Sequence, residues 1–208
     1  MPSKGSGNNP EAIINYWLGS SDSNPAAFKT QQKLWYDSKA DTDNHIRTTF
    51  GADLTSAENG DLSHWRSTPG GSLALVILLD QFSRNLYRGT PAVYKNDAQA
   101  QEIVLALLEK GKNLHFNIPA QVTFFHPLHH AEDLRLQEKA VSLFEAMLES
   151  APEDWRESTA GNLASIRSHC DIIRKFGRFP HRNIILERRS TPEECQYLEQ
   201  DQRTYGQQ

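Results

Sequence analysis

The stretch Ser168-His-Cys-Asp-Ile-Ile-Arg-Lys-Phe-Gly-Arg-Phe-Pro-His-Arg-Asn183 reads as the end of a helix, a glycine stop and a proline turn. At about 100° per residue, Ile172, Ile173 and Phe176 share one face with Trp155 and Ile166 upstream. Asn162 and His169 lie near the middle of that face, while Arg167, Asp171, Arg174 and Lys175 point away. Pro152 opens this helix. Gly177 closes it, because glycine takes the left-handed backbone of a helix end without a steric penalty. The turn beyond it is loaded with Arg178, His181, Arg182 and Asn183.

Similar punctuation recurs along the chain. Asn9-Pro10 and Thr68-Pro69 each set a capping side chain before a proline suited to the first helical turn. Thr191-Pro-Glu-Glu194 adds a capping box. After Pro69, Leu75, Leu78, Leu79, Phe82 and Leu86 keep helical spacing. Residues 73–79 are apolar all round, which predicts burial on every side. Asp80, Arg84 and Tyr87 then share a polar face, and Gly89 ends the segment. Pro127 is expected to open a long helix reaching about Ser150, with Leu134, Leu136, Ala140, Phe144 and Met147 on its apolar half. His129, His130, Asp133 and Gln137 fall inside that same half. No alternating strand pattern appears, and Asn183-Ile-Ile-Leu186 is as well explained by a helical turn. The fold class is therefore all-α, with helix lengths and short loops that suit stacked antiparallel pairs.

A chain of 208 residues suits one domain, placed at residues 10–200, with a disordered N-terminus at 1–9 and a frayed C-terminus at 201–208. The net charge of -4 argues against a dedicated nucleic-acid binder. The local basic run from Arg174 to Arg189 lacks the interleaved aromatics of a single-strand binder. Cys170 and Cys195 form no paired framework, which fits a reducing compartment. The opening residues lack the apolar core of a signal peptide, and no apolar run approaches a membrane span. A soluble, cytoplasmic protein with no membrane partner is expected.

Leu79-Asp-Gln-Phe-Ser-Arg-Asn85, Pro127-Leu-His-His-Ala-Glu-Asp133 and the run from His169 to Asn183 resemble the bacterial-type family called domain of unknown function 924. Phe176-Gly-Arg-Phe-Pro-His-Arg-Asn183 is the most specific piece. The family usually reads Asp-Gln-Phe-Pro-Arg-Asn, and this chain has Ser83 in place of the proline. The resemblance implies an all-helical fold similar to tetratricopeptide-repeat proteins. It implies no activity.

Polar groups fall on core-facing arcs in three places: Asp80 with Arg84, His129 and His130 with Asp133 and Gln137, and His169 with Asn162. Unpaired burial would cost a few kcal/mol for each, so they are expected to meet one another or a ligand. One reading is a pocket for a small anionic molecule. Asp80, Arg84, Arg178, His181, Arg182 and Asn183 would bind it, the arginines through forked donors for carboxylate or phosphate. His129, Asp133 and His169 are the candidate catalytic set, an Asp–His pair being able to activate water. A metal site from His129, Asp133, His169 and Asp80 is weaker, because no HExxH is present and arginines oppose a cation. No cofactor is expected. The alternative is a helical-repeat module for a protein partner, its polar cluster fixing helix packing. In that case Asp80–Arg84 is an ion pair, and His169 is a core histidine bonded to a carbonyl. Whether the chain is an enzyme, and its oligomeric state, stay open at this level.

Overall fold

The computed structural model describes residues 9–36, 40–111 and 115–200. The expectations for the two chain ends fall on residues 1–8 and 201–208, outside the described residues. Among those described there is no strand, and the fold is all-α. The helices are α1 (Pro10–Leu18), α2 (Pro25–Tyr36), α3 (Ala40–Glu58), α4 (Pro69–Val76), α5 (Ser83–Leu86), α6 (Asp97–Glu109), α7 (Ile118–His129), α8 (Leu134–Ser150), α9 (Arg156–Phe176) and α10 (Pro192–Gln200). A π-helical turn, Ile77–Phe82, joins α4 to α5 without a break.

The caps explain where several helices begin and end. Asn9 accepts from the Glu11 amide and Thr68 from the Gly71 amide, each at 3.0 Å. Gly71 has a second role. A Cβ there would sit 2.2 Å from the Trp65 carbonyl oxygen, so only glycine lets the preceding turn fold this closely onto α4. Gly177 adopts φ 69°, and its amide closes α9 on the Ile173 carbonyl. At α10 the capping box is reciprocal. The Glu194 amide donates to Thr191 Oγ1 at 3.2 Å, and the Thr191 amide donates to Glu194 Oε2 at 2.8 Å. Thr191→Ala removes one of these bonds and is expected to lower stability by about 1 kcal/mol. Urea unfolding measures it, and an unchanged midpoint would show that the box contributes nothing.

One contiguous core runs from Ile13 to Ile166. Residues 73–79 are buried all round, as their composition predicts, because α4 lies against α1, α6 and α7. Trp17 stacks on Trp35, and Phe82 meets Trp17 edge-on. The most extensive helix contact is α8 along α9. The short connection 151–155 reverses the chain between these two helices, so they pack as an antiparallel pair.

One expected helix is corrected. Pro127 does not open a helix to Ser150: it lies in the last turn of α7, which begins at Ile118 with Asn117 as its cap. The chain breaks at 130–133, and α8 starts afresh with Asp133 as N-cap.

Candidate functional site

The break after α7 gathers the polar groups. His126, His129 and His130 occupy its last turn and cap, three and four residues apart, and so face the same way. The π turn packs opposite and buries two consecutive polar residues, Asp80 and Gln81. An inserted residue of this kind re-aims side chains and is frequent at functional sites. From α9 comes His169, and from the turn Pro180–Arg182 comes Arg182.

Asp80 is fully buried. Its Oδ1 accepts from His130 Nδ1 at 2.8 Å and forms an ion pair with Arg84 Nη1 at 3.0 Å, while Nη1 donates to the Asp80 carbonyl at 2.9 Å. Its Oδ2 accepts from Gln81 Nε2, which also donates to His126 Nδ1 at 3.1 Å. Arg84 is forked onto Asp97 at 3.0 and 3.2 Å. Arg182 donates to the His130 carbonyl at 2.9 Å and lies between the rings of Tyr94 and Phe179, 4.4 and 4.5 Å from their centroids. Its Nη1 is 3.9 Å from Asp97. The His129 ring is 4.3 Å from that of His130 and 5.1 Å from that of His169. His169 holds the Ser165 carbonyl through Nδ1 at 2.9 Å. Two buried atoms, His129 Nδ1 and Arg182 Nε, have no hydrogen-bond partner among the described residues.

Electrostatics follow from burial. Desolvation pushes His126 down to about 4, outweighing the attraction of Asp80. Burial first, then the neighbouring cations and imidazoles, holds His129 and His130 well below the ordinary histidine range. These three imidazoles are therefore neutral at pH 7, although a helix C-terminus favours a cation. Burial opposes the Arg84 charge too, yet Asp80 and Asp97 overcome it and raise its pKa. Arg182 is lowered by burial, and burial raises Asp97 despite Arg84 beside it.

Asp80, Arg84, His129, His169 and Arg182 thus come together, and His181 joins their edge, its ring tilted against that of Phe179. Three expected members stand elsewhere. Asp133 faces solvent, capping α8 through the Arg135 and Leu136 amides and pairing with Arg135. Its position inside the apolar arc was an artefact of running one helix through the break. Arg178 is forked onto Glu194 at 2.7 and 2.8 Å, and Asn183 Nδ2 donates to Ser190 and Glu194. Those two anchor the start of α10. The basic run is similarly engaged: Arg174 meets Asp171 and Glu138, and Arg188 forks onto Glu132.

Gln81, Asp97, Tyr94 and His126 escaped the sequence reading. For His126 a signal existed, since it precedes His130 by four residues within an otherwise apolar run. Asp97 gave none, because an acidic residue in a first helical turn is ordinary. Among the described residues no three His, Cys, Asp or Glu side chains are arranged to hold a metal ion, and no helix is long and apolar enough to cross a membrane.

A family model described as bacterial protein of unknown function, DUF924, matches residues 13–202. A solved structure of a protein of unknown function from Agrobacterium tumefaciens, ATU0120, is similar at 33% identity and a TM-score of 0.77. The match covers 92% of this chain and 97% of that one. No curated protein matches.

Proposed function

The chain belongs to the DUF924 family, and from that premise we propose that its histidine–carboxylate cluster binds a small anionic ligand, with Asp80 and His130 as a proton-transfer pair. One observation carries the proposal. His130 Nδ1 is bonded to a fully buried carboxylate, while the His130 side chain keeps 19% of its surface exposed. Asp80 thereby fixes the tautomer and leaves Nε2 as the basic atom, the arrangement that makes an imidazole a general base. Arg84 and Arg182 flank this pair and supply the positive field for an anion. His129 and His169 line it. Asp133, Arg178 and Asn183 are left to the fold.

The chemistry open to such a site is proton transfer to or from a bound hydroxyl or water, as in a hydrolase or transferase. A main core from Ile13 to Ile166, with a smaller cluster of Ile172, Ile173 and Phe179 beside Tyr197, fits one domain over residues 10–200. A second reading keeps the tetratricopeptide-like comparison and makes the cluster a packing device for a protein-interaction module. The charge balance favours it, two arginines facing two aspartates.

A thermal-shift screen with metabolite anions separates the two. The expected result is a stabilising compound whose shift disappears in both His130→Ala and Arg182→Ala, each checked for retained helical circular dichroism. A shift that survives both substitutions would place the site elsewhere. Binding by no compound would favour the packing reading.

A further inference from the structure

We infer that the ligand carries a hydroxyl beside its anionic group, read by His126 and His130 as a donor–acceptor pair. This rests on the small-anion reading above and narrows it. A carboxylate only accepts, so the Asp80–His130 contact places the proton of neutral His130 on Nδ1 and leaves a lone pair on Nε2. Gln81 sets the opposite tautomer on its neighbour. Its amide nitrogen lies between Asp80 Oδ2 and His126 Nδ1. The flipped amide would turn an oxygen toward a carboxylate, so the nitrogen is fixed there and donates to both. His126 Nδ1 is then an acceptor, and its proton sits on Nε2.

Two adjacent rings, 5.6 Å apart between centroids, thus offer one acceptor and one donor. Among the described residues neither Nε2 has a hydrogen-bond partner, and neither is among the fully buried unpaired atoms. Beside them His129, 7% exposed, leaves Nδ1 unpaired. An anionic oxygen has no proton for the His130 lone pair, and an ammonium has no lone pair for the His126 N–H. A hydroxyl satisfies both. Arg84 and Arg182 touch the same Asp80–His130 unit and take the anion.

The test uses matched pairs that differ by hydroxyls: malate against succinate, lactate against propionate, and glycerol 1-phosphate against propyl phosphate. Each is titrated into the full chain and followed by nuclear magnetic resonance. Long-range proton–nitrogen spectra of the free protein are expected to show His130 protonated on Nδ1 and His126 on Nε2. At least one hydroxylated compound should bind about tenfold tighter than its partner, the worth of one well-made hydrogen bond. The carboxylate and phosphate pairs identify which anion is read. Gln81→Leu should erase the hydroxyl preference, bringing the two members of each pair to the same affinity.

Equal affinity within every pair, with binding still lost in Arg182→Ala, would overturn the hydroxyl and keep the anion site. Binding unaffected by Arg182→Ala, or by none of the six compounds at millimolar concentration, would overturn both. The reverse tautomers would overturn the hydroxyl inference without any ligand.

Discussion

Replacing Asp80 by alanine will lower stability by about 3–5 kcal/mol, the range for removing one partner of a buried pair. Two donors, His130 Nδ1 and Gln81 Nε2, end on this fully buried carboxylate, and Arg84 Nη1 pairs with it. Arg84 keeps Asp97, so its charge is not left alone. The loss comes chiefly from the His130 N–H and the Gln81 amide, where each buried group left unsatisfied costs about 1–3 kcal/mol. A small cavity adds to it. Asp80→Asn keeps the volume and one acceptor oxygen, but turns an amide donor toward other donors. It should lie between wild type and the alanine variant. Urea unfolding followed by far-ultraviolet circular dichroism measures both, provided the slope is unchanged. A loss under 1 kcal/mol in Asp80→Ala would mean that Asp80 is not the knot holding the π turn to α7. Asp133→Ala is the informative control: it removes a solvent-facing cap and should leave ligand binding intact.

That contrast between two aspartates shows what the sequence could tell. Caps are local chemistry, so Thr68-Pro69, Gly177 and the Thr191–Glu194 box were legible and recur in the structure. Burial of residues 73–79 was legible because nothing polar interrupts them. The π turn was not. Leu75, Leu78, Leu79, Phe82 and Leu86 satisfy helical spacing, and a helix buried on all sides leaves no exposed stripe to betray one extra residue. The break before α8 was misread because Pro127 resembles a helix start. Asp133 directly ahead of an apolar-periodic segment was the competing signal, and it was the correct one. The convergence of Asp80, Arg84, His129, His169 and Arg182 was visible as polar groups on core-facing arcs. Their pairing was not, since Asp80–His130 and Arg84–Asp97 depend on packing between distant segments.

Acidification from pH 6.5 to about 4.5 will destabilise the protein steeply, and the histidines of α7 are the cause. A free histidine takes its proton near 6.5. His126 in the fold takes it only near 4, held down by burial. Between those values the unfolded chain binds a proton that the native state refuses, so stability falls by about 1.4 kcal/mol per pH unit for that group. Across the whole window His126 alone removes about 3 kcal/mol. His129 and His130 are shifted in the same direction and steepen the fall. The contribution is fully present above the unfolded value and disappears below the folded one.

Other groups act in other windows. Glu194, held down to about 2 by the Arg178 fork, stabilises fully above the ordinary glutamate range and loses that only below it. Asp97, raised by burial, takes up its proton more readily in the fold and works in the opposite sense. A proton entering the cluster meets Arg84 and Arg182, while Asp80 already accepts from His130 and Gln81 and pairs with Arg84. Urea midpoints at half-unit steps of pH will show a plateau above 7 and the fall below 6.5. His126→Gln should flatten the fall by about one proton. A flat profile between 6.5 and 4.5 would mean that these imidazoles are hydrated or already charged in the folded state. In the charged case the Nε2 lone pair on which the proton-transfer role of His130 depends would be lost as well.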